Sequence, residues 1–174
     1  EDSYKWGRIA ASSILHLMEA GSNRMDKEDY YRRLLMEENL SEDFYHKASK
    51  MKISSDIRRC VYLIEMQKTF SGQAETILKN LFADGKDDYI LKGNDKQLIL
   101  IKSLASKKED KQITDDVAKQ IVSMINTEVM ESVRVTYGRI SDTLAGLAKA
   151  YREAKMAMEV VKVFYSERET ASYT

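Results

Sequence analysis

Apolar and polar positions alternate along this chain with two periods, and the change between them falls near residue 52. Up to that point the spacing is helical. Residues 4 to 20, YKWGRIAASSILHLMEA, place Ala10, Ile14, Leu17 and Met18 on one face, and Gly21-Ser22-Asn23 stops the helix. KEDYYRRLLMEEN and SEDFYHKASKM follow as two more helices, with Asp26 and Ser41 as N-caps and Tyr30, Leu34, Leu35, Phe44 and Ala48 on their apolar sides.

Beyond residue 52 short apolar runs take over. CVYLIEM is continuous, with β-branched and aromatic members, which predicts a buried central strand. GQAETILKNLFADG returns to helical spacing through Ala74, Ile77, Leu78 and Leu81, with Gly85 just past its end. DYILKGNDKQLILI has the outline of a β-hairpin turning at a Gly93-Asn94-Asp95 corner. SKKEDKQ reads as a solvated loop, after which Thr114 caps a helix marked by Ile113, Val117, Ile121, Met124 and Ile125. SVRVTYG alternates Val133, Val135 and Tyr137 against Arg134 and Thr136, the pattern of a strand with one buried face. A long helix from 142 to 163 spaces Leu144, Leu147, Tyr151, Ala154, Met158 and Val161 by threes and fours, and ETASY closes as a short strand.

From residue 60 the order is therefore β-α-β-β-α-β-α-β. Its first six elements form the split βαβ arrangement of ferredoxin-like folds: an α+β class with a twisted antiparallel sheet and two helices on one face. The expected division is a helical lead-in over residues 1–52 and the α+β domain over 53–174. The N-terminal helix either packs on the globule or pairs with a copy of itself as a dimer stalk.

Composition narrows the function classes. With 43% hydrophobic residues in 174, the chain can bury one full core. Twenty-eight basic residues balance twenty-eight acidic ones, so net charge gives no reason to expect direct DNA binding or an anionic membrane. No apolar run approaches the roughly 20 residues of a membrane span and no signal pattern opens the chain, which points to the cytoplasm. Cys60 is the only cysteine and lies in an apolar run, so it reads as a small buried hydrophobe. The absence of proline and the seven glycines suggest long regular elements. His16 and His46 sit on different helices without an i, i+4 partner, which argues against a histidine metal site. The chain has no phosphate-binding glycine loop, nucleophile elbow or Cys-His pair.

The element order, with a hairpin at its centre, is also that of nucleotide-cyclase palms. Laid against the GGDEF signature of diguanylate cyclases, Gly93, Asn94, Asp95, Lys96 and Gln97 fall in register without gaps. The resemblance is to a degenerate form. VTYGRISDTLAGLAKAYREAKMAMEVVKVF, with Tyr151, Arg152, Glu153 and Ala154, resembles the SYREA pattern of the GGDEF-like middle domain in bacterial CdaR/PucR-type regulators, the sugar-diacid and purine-catabolism family. MDKEDYYRRLLMEENLSEDFYHKASKMKI resembles that family's helical lead-in, and VFYSERETASYT resembles the stretch before its DNA-binding domain. A similar palm occurs in response regulators with AraC-type DNA-binding tails. The resemblance implies a middle module, with a sensing region before it and a helix-turn-helix after it on the same polypeptide.

Whether such a hairpin does chemistry depends on its charges. Cyclisation of a nucleoside triphosphate needs two divalent cations held by clustered carboxylates. Glu65 stands at the first-strand position, but Lys96 replaces an acid in the hairpin. A like charge at 4 Å from the ion costs about 4 kcal/mol per unit of ionic charge at an effective dielectric of about 20. Asn94 adds a side chain where backbone must approach the purine, and Gln97 removes the aromatic residue of the signature. The expectation is no enzyme, no catalytic residue, no metal and no cofactor. Glu65, Lys92 and Arg139 are the candidates for a vestigial anion cleft, in which a small effector is one possible occupant. The expected function is a homodimeric signalling module that relays effector state to DNA-binding helices. The alternatives are a nucleotide-binding or residual cyclase enzyme and the palm of an AraC-type response regulator.

Overall fold

The computed structural model describes residues 27–37, 40–68, 72–82, 85, 87–105, 110–164 and 169–173. Residues 27–36 form α1. After it come α2 (Glu42–Lys50), β1 (Arg59–Met66), α3 (Gln73–Leu81), β2 (Tyr89–Asn94), β3 (Gln97–Ser103), α4 (Asp110–Glu128), β4 (Val133–Tyr137), α5 (Leu147–Phe164) and β5 (Thr170–Ser172). The expected helix over 4–20, its Gly21-Ser22-Asn23 stop and the Asp26 cap lie outside the described residues. No helix among the described residues is long and apolar enough to cross a membrane.

The strands form one sheet in the order β2-β3-β1-β4-β5. β1 is antiparallel to β3 on one side and to β4 on the other, whereas β5 runs parallel to β4 and makes the sheet mixed. The continuous apolar run of β1 has a simple cause: the strand is central and covered on both faces. Alternation sends Val61 and Leu63, with Leu91, Ile99 and Ile101, into a core shared with α1, α2 and α5. Cys60, Tyr62, Ile64 and Met66, with Leu98 and Leu100, face α3 and α4. The two helices expected on one face are thus α3 and α4, and the other face carries three more. Tyr30, Leu34, Leu35, Phe44 and Ala48 are all buried in the first of these cores, so the lead-in helices and the sheet share one interior.

Several local expectations change. Ser41 occupies the N-cap of α2 with extended backbone, but its side chain makes no capping bond. Helix α4 begins at Asp110 and absorbs the end of the supposed loop. Thr114 lies inside it, buried, and its hydroxyl bonds the carbonyls of Asp110 and Lys111, each at 3.0 Å. β4 is buried on both faces, because α5 lies over it: Thr136 is fully buried and its hydroxyl donates to the Ala154 carbonyl at 2.8 Å. Leu144 is buried in the turn before α5, which begins at Leu147.

Candidate functional site

The hairpin forms where expected but turns one residue later. Asn94 still pairs with Gln97, so Asp95 and Lys96 make the turn and Gly93, one residue before the end of β2, is the extra residue of a register shift. Asn94 Oδ1 accepts the Lys96 N–H at 2.9 Å, the side-chain bond that makes asparagine a turn former. Neither turn residue has a positive φ, so the usual primed hairpin turns are not used. The bulge at Gly93 supplies the local twist instead. A Cβ at Gly93 would stand 3.2 Å from Gln97 Cβ, closer than ordinary contact. Asp95 and Lys96 are exposed.

Glu65 meets this hairpin because β1 and β3 are neighbours: it lies opposite Gln97 on one side and Arg134 on the other. Its side chain shares the sheet face of Val61 and Leu63, under α5. There Oε2 accepts a bond from Gln97 Nε2 at 2.6 Å and an ion pair from Lys162 Nζ at 2.8 Å. Burial pulls the Lys162 pKa down, but the bond to Glu65 and the charges of Glu65 and Glu159 outweigh it and hold it above the ordinary value. Lys162 was invisible to sequence reasoning. Its neighbours mark an amphipathic helix with Met158 and Val161 on the apolar side, and nothing local points a lysine at a distant strand.

Glu65, Lys92 and Arg139 do not converge on one cleft. Lys92 alternates to the opposite face, where Nζ binds Glu75 of α3 at 3.2 Å. Lys79 binds the same carboxylate. Burial raises the Glu75 pKa, but these two ammonium groups outweigh it and hold it low. Arg139 follows β4 and lies at the other end of the sheet, five residues beyond Arg134, which is roughly 16 Å of strand.

Arg139 instead finds the helix motif. Its guanidinium binds Glu153 Oε1 at 2.6 and 2.9 Å, and its own backbone N–H binds Oε2 at 2.9 Å. Its guanidinium also lies over the Tyr173 ring at 5.7 Å. Tyr151 and Ala154 are buried in the core beside Glu153, while Arg152 is exposed. The Tyr151-Arg152-Glu153-Ala154 motif therefore anchors α5 to the end of β4. The close approach of α5 backbone to the residue after β4 explains Gly138, where a Cβ would meet the Ala150 carbonyl oxygen at 2.0 Å.

Chemically, the hairpin corner offers Glu65, already engaged by an amide and an ammonium group, and Asp95, exposed in the turn beside Lys96. Among the described residues no three His, Cys, Asp or Glu side chains gather as a metal site would require. Cys60 is fully buried, donates to the Gly138 carbonyl at 3.4 Å, and has its thiol pKa pushed up to about 12 by burial, which removes nucleophilic character.

Comparison with known proteins bears on fold and family. The regulator of polyketide synthase expression from Bifidobacterium adolescentis is similar with a TM-score of 0.57 at 9% identity, over 83% of this chain and 53% of that one. This chain thus spans about half the length of that regulator. The active GGEEF domain of a diguanylate cyclase from Vibrio cholerae aligns at a TM-score of 0.42 and 14% identity, over 75% of this chain and 89% of that one. The GGDEF domain of YfiN (TpbB) from Pseudomonas aeruginosa aligns at 0.44 and 15%, over 83% and 93%. No curated protein sequence matches. Residues 37–160, from the end of α1 through most of α5, match the GGDEF-like domain, and the chain belongs to that family.

Proposed function

We propose that this chain is a non-catalytic signalling and dimerisation module of a bacterial transcription regulator of the CdaR/PucR type. In this reading it stands between a sensing region and a helix-turn-helix of the same polypeptide, with 1–52 as lead-in and 53–174 as the GGDEF-like part. The observation that carries the non-catalytic half is Glu65. A palm cyclase gathers two divalent cations on carboxylates. Here the first-strand carboxylate is held by Lys162 Nζ at 2.8 Å and by Gln97 at 2.6 Å. The hairpin tip adds a second cation, Lys96. A dication at that corner meets like charge where it needs ligands, at a cost of about 4 kcal/mol per charge pair at 4 Å and an effective dielectric of about 20.

The regulatory half is supported by family membership and by the Tyr151-Arg152-Glu153-Ala154 motif. α5 also suits a relay: it is tied to the start of the loop after β4 by Glu153 and to the hairpin end of β1 by Lys162, so one rigid element touches both ends of the sheet. Incubation with GTP and magnesium or manganese, followed by chromatography, tests the non-catalytic reading. No cyclic dinucleotide is expected, and its appearance at a rate proportional to protein overturns the reading. The open reading frame downstream should encode a helix-turn-helix. The fragment alone should give no salt-sensitive shift of a DNA probe.

A further inference from the structure

We propose that a second copy of this chain docks on the outer face of α5, antiparallel, across a two-fold axis beside Met156. The inference rests on the dimerisation reading above and assigns its surface. The inner face of α5 is spent: Leu147, Ala150, Tyr151, Ala154, Met158 and Val161 are buried against the sheet and the lead-in helices. The outer face of a helix with no further partner should be polar. Its first half is, with Lys149, Arg152 and Lys155 exposed. Its second half is not. Met156 and Val160 are 47% and 48% exposed, and Val163 and Phe164 reach 70% and 73%. Only six large hydrophobic side chains are exposed among the described residues, and four of them lie on this one stripe. Met156, Val160 and Val163 follow each other at intervals of four and three, the spacing of a coiled-coil seam.

The same helix carries the counterpart of this ridge. A groove of about 670 Å³ lies along its first half, lined by Lys149, Arg152, Lys155, Met156 and Tyr173 and by the Arg139–Glu153 ion pair. Met156 and Tyr173 give it apolar surface, and Lys149, Arg152 and Lys155 are exposed at its edge. Fourteen residues separate Lys149 from Val163, about 21 Å of helix. A two-fold axis at Met156 therefore lays the ridge of each copy over the groove of the other. Val163 then faces Lys149 of the second copy, and Val160 faces Arg152. The aliphatic stems of those basic residues cover valine while their charges stay in water. Glu159, which is 72% exposed, comes within reach of Arg152 of the second copy.

Charge selects this direction. A parallel pairing would set Lys149, Arg152 and Lys155 each against its own copy. The occupant is a second copy because ridge and groove are both on this chain at matching distances from one axis, which makes an isologous contact. Some 21 Å of helix falls short of the roughly 800 Å² per partner of a standard interface. The dimer is therefore weak and reversed by dilution, a property suited to a relay.

Single-cysteine variants test both the surface and the direction. Cys60 is buried with its thiol pKa near 12, so an introduced thiol is the reactive one. Met156→Cys, oxidised at about 100 μM, where a contact of this size associates, should form a covalent dimer on a non-reducing gel. Val163→Cys should not, because its two thiols lie about 21 Å apart and a disulfide needs Cα atoms within about 7 Å. Val160→Arg, which sets like charge against Arg152 of the second copy, should raise the dissociation constant seen by sedimentation at least about tenfold without moving the melting temperature. Cross-linking through both positions overturns the antiparallel arrangement. Cross-linking through neither, in a protein that sedimentation shows to dimerise, overturns this surface and leaves the dimerisation reading standing on another face. A monomer at every concentration overturns both.

Discussion

Glu153, on α5 at its junction with the end of β4, shows how a buried acid is kept charged. Burial alone raises the pKa of Glu153, but the guanidinium and backbone N–H of Arg139 outweigh it and hold it below the usual carboxylate range. A group with a depressed folded pKa stabilises the fold in full above its unfolded value of about 4.3. That contribution fades as pH falls through the lower folded value. Glu153→Gln should therefore melt about 5 °C below the parent at neutral pH, and the gap should close as melts followed by circular dichroism are repeated below pH 4 or so. Gly138 makes a purely steric case at the same junction. A methyl group there would lie 2.0 Å from the Ala150 carbonyl oxygen, which belongs to helix backbone and cannot swing aside. Gly138→Ala should cost about 2–3 kcal/mol in denaturant unfolding, the scale of overpacking a tight site.

The hairpin and its neighbours show which parts of an element can be read from the sequence. β1, β3 and the inner face of α5 were legible because apolar periodicity is strongest where burial is complete, as at Ile64, Ile99 and Ala154. The first turn of α4 was not, because Asp110, Lys111 and Gln112 are all polar and carry no apolar signal. Thr136 misled for the opposite reason: its polarity implies solvent, yet the Ala154 carbonyl supplies a buried partner. The site divides in the same way. That Glu65 stands beside the hairpin followed from strand order, whereas its engagement by Lys162 depends on how α5 crosses the sheet. This gives a prediction for the corner as a unit. Lys96→Glu restores one acid but leaves Glu65 neutralised, so manganese should bind more weakly than about 1 mM by spin resonance of the free ion. Lys96→Glu combined with Lys162→Ala frees Glu65 and should bind it measurably tighter. Equal affinities would mean that Lys162 does not guard the site.

On the scale of the whole molecule, the change of period near residue 52 marks a change of element type without marking a change of interior. Tyr30, Leu34, Leu35, Phe44 and Ala48 from α1 and α2 share a core with Val61, Leu63, Ile99 and Ile101 of the sheet and Leu147 and Met158 of α5. Tyr30 stacks on Phe44 with ring centroids 4.4 Å apart, and Tyr31 lies 4.9 Å from Tyr89 on the edge strand. A chain that begins at residue 53 would leave that sheet face half covered, because α5 lies over β1 and β4 while Tyr31 of α1 packs on Tyr89 of β2 and Phe44 of α2 packs on Tyr30 of α1. Leu34, with no exposed surface, reports on this coupling. Leu34→Ala should cost about 3–4 kcal/mol, as for a leucine removed from a tight core, and should shift one cooperative transition for the entire protein. The fragment 53–174 should bind a hydrophobic dye and lose its sharp melt, the behaviour of a sheet with fluctuating packing. A fragment 53–174 that melts sharply at the parent temperature would mean that the lead-in helices form a separate unit. The coupling matters for the relay, because helices sharing one core with α5 can pass a displacement to it through packed side chains, and helices merely tethered to it cannot.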